Sequence, residues 1–240
     1  MIHWVYAFVD RPRDRFEAAA SFWTAVTGTS LSARRGAEGE FATLLADGAD
    51  ACLKLQAVTD GGGAHLDFAV EDVRALTDRA VRLGAAVVAD HGDLVVLSSP
   101  AGQPFCAVPW NGEAKRRGVV DGTRLDQVSV DVAADGFAAE SEFWGALTGW
   151  PVLTGSRPEF RVVKPPAELP IRILLQRLDT PRPTGAHLDL ACADRAATRR
   201  AHERLGAAFV AEHSHWIVMR DPAGGTYCLT ARDPETGALR

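Results

Sequence analysis

The segment Ala64–Phe68, reading AHLDF, returns 122 positions later as AHLDL at Ala186–Leu190. At the same offset RLGAAVVA (Arg82–Ala89) recurs as RLGAAFVA (Arg204–Ala211), and SPAGQPFC, ending at Cys106, recurs as DPAGGTYC, ending at Cys228. Upstream, FWTAVTG from Phe22 matches FWGALTG from Phe143, one position closer. A chain made of two homologous copies has to bury in one copy what it buries in the other, so the fold reduces to a unit of half the length. Gly112–Gly122, rich in glycine and charge and without apolar periodicity, is the natural boundary. It places domains at 1–112 and 120–240, with a linker at 113–119.

Within each copy the hydrophobic period changes repeatedly. Ile2–Val9 alternates Trp4, Tyr6 and Phe8 against His3, Val5 and Ala7, as a two-faced strand does. Phe16, Ala19, Ala20, Trp23 and Val26 then follow helical spacing, and Gly28 stands where a left-handed cap is wanted. Phe137, Ser141, Trp144, Leu147 and Gly149 repeat this. Trp23 and Trp144 are assigned to the core, whereas Trp110, Trp150 and Trp216 read as structural or interfacial. A weak strand near Leu31, strands over 40–46 and 51–57 joined at Asp47-Gly48, a strand over 65–70, a helix over 72–83 and three further short strands complete the copy. Each half is therefore two βαβββ units.

Composition narrows the partners. The chain carries 26 basic and 31 acidic residues with no long block of either sign, whereas nucleic acid binding needs clustered Lys and Arg. No apolar run approaches the roughly 18 residues that span a bilayer, and Met1 leads straight into a strand-like segment with no charged-then-apolar leader. A cytoplasmic protein is expected. Cys52, Cys106, Cys192 and Cys228 lack CxxC spacing and read as buried thiols in a reducing compartment.

Four βαβββ units in two pairs, carried by FWTAVTG and FWGALTG, the two AHLD strand starts, the RLGA helix ends, and PAGQPFC and PAGGTYC, resemble the vicinal-oxygen-chelate superfamily. That superfamily includes glyoxalase I, extradiol dioxygenases, and fosfomycin-resistance and bleomycin-binding proteins, and the glyoxalase-like domain group is the nearest in pattern. The resemblance implies an α+β fold of tandem glyoxalase-like domains, whose modules form cupped, partly open β-barrel sheets. It also implies, in catalytic members, a divalent metal held by four strand positions. Carried over, these positions are His3, Lys54, His65 and Cys106 in the first half, and Gln127, Leu174, His187 and Cys228 in the second. Exchange of modules between the halves regroups them as His3, Lys54, His187, Cys228 and Gln127, Leu174, His65, Cys106. No set contains a carboxylate, which divalent sites ordinarily use, and an ammonium at Lys54 repels a cation. The resemblance therefore implies no cofactor, with His3, His187 and Cys228 as the weak alternative for zinc.

The polar residues on the inner strand face are the remaining candidates. His65 with Asp67, and His187 with Asp189, share a face by alternation and read either as a general base with its orienting carboxylate or as half-buried structural pairs. Gln127, Ser129 and Asp131 alternate with three valines, giving the second half a wholly polar first-strand face, and His3, Val5 and Ala7 form the drier match in the first half. Gln56 and Gln176 align two residues beyond Lys54 and Leu174. No helix start or neighbouring base is evident to activate Cys106 or Cys228 as a nucleophile. The expected function is binding of a small organic molecule in a concave sheet without the metal quartet. The alternative is lyase, isomerase or dioxygenase chemistry using His and Asp or a metal; glyoxalase I activity is disfavoured. A homodimer is compatible with the sequence, as is a role in assembly.

Overall fold

The structure, a computed structural model, describes residues 1–59, 61–155, 157–180 and 182–240. In chain order the first half runs β1 (Ile2–Pro12), α1 (Phe16–Thr27), β2 (Ser30–Leu31), β3 (Phe41–Leu45), β4 (Leu53–Val58), β5 (Gly63–Val70), α2 (Val73–Arg82), β6 (Ala86–Asp90), β7 (Val95–Ser98) and β8 (Pro104–Pro109). The second half repeats this as β9 (Thr123–Ala133), α3 (Phe137–Thr148), β10 (Val152–Thr154), β11 (Phe160–Val163), β12 (Arg172–Leu178), β13 (Gly185–Cys192), α4 (Arg195–Arg204), β14 (Ala208–Glu212), β15 (Trp216–Arg220) and β16 (Thr226–Thr230). These are the four expected βαβββ modules.

The strands form two open eight-stranded sheets in the orders β2-β3-β4-β1-β5-β8-β7-β6 and β10-β11-β12-β9-β13-β16-β15-β14. Neither closes, as the expected cupped, partly open arrangement requires. Both are mixed: β5 pairs parallel with β8 and β13 with β16, while β3–β4, β7–β8, β11–β12 and β15–β16 are antiparallel. Even the irregularities repeat, with register shifts between Val87 and Ala89 and between Phe209 and Ala211 in the terminal β6–β7 and β14–β15 ladders. Among the described residues no helix is long and apolar enough to cross a membrane.

Local sequence accounts for the helix limits. Gly28 (φ 57°) and Gly149 (φ 73°) adopt the left-handed conformation that ends α1 and α3, which side chains with a Cβ adopt only at a cost. Asp72 and Asp194 cap α2 and α4 by accepting from the backbone N–H of Ala75 and Ala197.

Two compact units are present, and each draws on both halves. The first comprises Met1–Ala7, His65–Ala114 and Val128–Ala186; the second comprises Phe8–Ala64, Lys115–Gln127 and His187–Arg240. In the first, Phe143 and Trp144 of α3 pack edge-on against Phe105 of β8, and Trp144 also packs on Phe68 of β5. In the second, Trp23 of α1 packs edge-on against Tyr227 of β16, and Phe22 meets the same ring at a tilt. Trp23 and Trp144 are fully buried, as their helical spacing demands, and Trp150 is buried against Phe68.

Candidate functional site

Alternation gives the strands next to β1 and β9 two unlike faces. On β4, Leu53, Leu55 and Ala57 are buried while Lys54 and Gln56 are only half-buried. On β12, Ile173 and Leu175 are fully buried while Leu174 and Gln176 are half-buried. The half-buried face carries aromatic neighbours: Gln56 lies opposite Phe41, Gln176 lies opposite Phe160, and Lys54 Nζ sits 5.3 Å above the Phe8 ring.

On the neighbouring strands this polarity concentrates into clusters. His65 and Asp67 lie two residues apart on β5, and Asp67 is the register partner of Cys106 on the parallel strand β8, so the three side chains project to the same side. The second half repeats the set, with Asp189 of β13 opposite Cys228 of β16 and His187 beside them. In each trio the donor atoms of His, Asp and Cys all lie within 4.8 Å of one another. His65 Nε2 is 3.7 Å from Asp67 Oδ1, whereas His187 Nε2 is 3.3 Å from Asp189 Oδ1 and 3.6 Å from Cys228 Sγ. Gln127 of β9 donates through its side-chain amide to Asp189 Oδ2.

Burial opposes charge on His187, but the negative charges available at Cys228 and Asp189 outweigh it and hold its pKa well above the usual value. Cys192, on the same strand but outside the trio, has its thiol pushed up to about 12, chiefly by burial.

Other candidates lie elsewhere. His3 stacks on Trp110 with ring centroids 4.4 Å apart, places Nε2 3.5 Å from Glu71 Oε1, and belongs to neither trio. β1 and β9 have equal length and equal spacing to α1 and α3, which makes Tyr6 the counterpart of Gln127 and Phe8 that of Ser129. The face matching Gln127 in the first half is therefore aromatic, rather than the His3, Val5 and Ala7 face expected from alternation alone. Ser129 is buried, and Asp131 accepts from Arg182 at 2.5 Å. The two cups are unequal, but the inequality is aromatic against amide.

Two expectations change. A base does stand beside a cysteine, His187 next to Cys228, which sequence separation conceals. A carboxylate is also within reach of each histidine. It comes from Asp67 and Asp189, two residues along the His strand, and not from the positions the family resemblance names. The expectation of no cofactor rested on that missing carboxylate and loses its main support. The family's own quartet does not fit this chain, since one of its second-half positions is the aliphatic Leu174 and one of its first-half positions is Lys54, whose ammonium lies over an aromatic ring. Of the three weak zinc candidates, His187 and Cys228 are gathered with Asp189, without His3.

The glyoxalase-like domain family model matches residues 7–108 and again residues 127–230. Among curated proteins none matches the chain. Several solved structures share the fold. A mutant of 4-hydroxymandelate synthase from Streptomyces coelicolor superposes with a TM-score of 0.64 at 17% identity, covering 97% of this chain and 92% of that one. The 2,2',3-trihydroxybiphenyl 1,2-dioxygenase of Sphingomonas wittichii gives 0.63 at 16% identity, covering 94% and 88%. A 2,3-dioxygenase from Pseudomonas gives 0.62 at 14% identity, covering 94% and 90%. At such identities the likeness is one of fold.

Proposed function

Because the chain belongs to the glyoxalase-like domain family, we propose that it binds a small organic molecule on the polar face of its open sheets, without the quartet of metal ligands typical of catalytic relatives. The observation that carries this reading is the buried polar group in which Gln127 donates to Asp189 Oδ2 and His187 Nε2 lies 3.3 Å from Asp189 Oδ1. A sheet face that served only for packing would be apolar, because burying amide, carboxylate and imidazole groups together costs free energy unless all are mutually satisfied. Small-molecule sites combine a few convergent polar groups with aromatic walls, and Lys54, Gln56 and Phe8 share a compact unit with this group. The superfamily fold hosts both binders and enzymes, so ligand class follows from the site rather than from the fold.

A library of small polar and aromatic compounds, screened by NMR with side-chain-labelled histidine and glutamine, tests the reading. Binders that shift the His187 and Gln127 signals, and whose affinity falls on Gln127→Ala or Gln56→Ala, are expected. A library without such binders, or binders indifferent to these replacements, would refute it.

A further inference from the structure

The donor atoms of the second-half trio lie within 4.8 Å of one another, and two of them are close to the same ring nitrogen. Where a carboxylate orients a histidine to activate a thiol, the carboxylate and thiol address opposite ring nitrogens. Here Asp189 Oδ1 and Cys228 Sγ both face His187 Nε2. We propose that His187, Asp189 and Cys228 form a zinc site, which shares His187 and Cys228 with the positions the family resemblance names but takes its carboxylate from Asp189, outside that quartet.

The distances carry this furthest. Zinc bonds of about 2.0 Å to nitrogen and oxygen and about 2.3 Å to sulfur, set at a tetrahedral angle, require ligand separations of about 3.3 Å for N···O and about 3.5 Å for N···S. The trio shows 3.3 Å and 3.6 Å. Asp189 is 3% exposed, and its Oδ1 accepts no hydrogen bond of normal geometry. Its Oδ2 is held by Gln127, the kind of outer contact that fixes a ligating carboxylate. All three ligands stand on β13 and β16, which are register-paired strands rather than loops, so the geometry is rigid. Imidazole, thiolate and carboxylate together favour zinc over magnesium or calcium, which prefer oxygen alone. Three protein ligands also leave the fourth tetrahedral position for water or a ligand atom. The first-half trio has the same donor types, but its N···O separation of 3.7 Å is too long for the tetrahedral edge.

The full chain, stripped with chelator, is titrated with zinc against a chromophoric competitor and separately loaded with cobalt(II). One tight zinc equivalent per chain is expected, with a thiolate-to-cobalt charge-transfer band that Cys228→Ser abolishes and Cys106→Ser leaves intact. Gln127→Ala should bind zinc about 10- to 100-fold more weakly. Failure of the wild-type chain to compete for zinc, a band surviving Cys228→Ser, or a band lost in Cys106→Ser would overturn the proposal. If Cys228→Ser does not fold, zinc-edge X-ray absorption of the wild-type protein decides, with one sulfur neighbour expected and none contradicting it. These readouts follow the metal alone, so they stand apart from whether an organic ligand binds.

Discussion

The indole Nε1 of Trp23 donates to Asp221 Oδ2 at 3.0 Å, linking a helix of the first half to a turn of the second across 198 positions of sequence. The same carboxylate accepts from Arg11 Nε at 2.9 Å and Nη2 at 2.6 Å, and from the backbone N–H of Ala223 and Gly225 in the PAGG turn. In the other unit the tryptophan keeps its role but the acid comes from elsewhere. Trp144 Nε1 donates to Glu140, one turn back on its own helix, and Glu140 accepts from Ala101 N in the matching PAGQ turn. Glu140 stands where the first half has Ala19, and Ser99 where the second has Asp221. One buried carboxylate per unit ties helix to turn, but of the two it is Asp221 that, among the described residues, is matched by a cation.

Removing Asp221 leaves the Arg11 guanidinium buried without its counter-charge, and breaking a buried pair from one side costs about 3–5 kcal/mol. Asp221→Ala should lower the urea midpoint accordingly, while Asp221→Ala combined with Arg11→Met should cost less than the sum of the two single changes. Additive costs in that double-mutant cycle would show that the pair is not coupled.

Glu140 is fully buried with no cation beside it among the described residues, and burial raises its pKa above the usual value against the opposing hydrogen bonds from Ser99, Ala101 and Trp144. A carboxyl whose folded pKa exceeds its unfolded value stabilises fully below the unfolded value, and that contribution is lost as pH rises through the folded one. Glu140→Gln keeps an acceptor for Trp144 and Ala101 but cannot ionise. Its stability relative to wild type should therefore improve as pH rises above the usual carboxylate range and level off once the buried carboxyl has ionised, as followed by urea unfolding. A pH-independent difference contradicts this.

His202 carries the opposite sign. Burial lowers its pKa from 6.5 to about 4, and it is held neutral with Nδ1 2.9 Å from the Tyr227 hydroxyl and its ring edge-on to Phe22. Between these values the unfolded chain binds a proton that the folded chain refuses, so stability rises with pH up to about 6.5 and then levels off. The full span is worth about 3 kcal/mol. In His202→Gln, the acid slope of the unfolding midpoint should largely disappear; an unchanged slope assigns it to other groups.

Much of this was legible in the residues. The duplicated motifs define the four modules, and Gly28 and Gly149 end their helices through a backbone preference that is local to one residue. The HxD pairs were legible because alternation along a single strand needs no knowledge of its neighbours. Their completion by Cys106 and Cys228 depends on the register of β5 with β8 and of β13 with β16, which single-strand periodicity does not carry. The family resemblance aligns His3 with Gln127 as first-strand positions, whereas strand length and helix spacing put Tyr6 there, because an odd shift in register exchanges the faces of a strand. The partner of Trp23 was hidden for a related reason: nothing near α1 in sequence specifies a turn 198 residues away.

The contrast between the two turns makes a last test. A Cβ on Gly225 would lie 1.9 Å from Arg11 Cζ, so the close approach of Arg11 to the turn requires glycine there. In the other unit the corresponding positions are Gln103 and Val132, and the buried Gln103 side chain donates to the Pro104 carbonyl. Gly225→Gln alone should drive Arg11 off Asp221 and cost about 3–5 kcal/mol, as for any broken buried pair. Adding Arg11→Val, Ala19→Glu and Asp221→Ser transplants the other unit's solution: the cation leaves, and the carboxylate moves one turn back on α1, within reach of Trp23 Nε1 as Glu140 is of Trp144. The fourfold variant should unfold at a higher urea concentration than Gly225→Gln, despite carrying three more changes. If it is weaker instead, the four positions act independently, and the resemblance between the two anchors is one of appearance only.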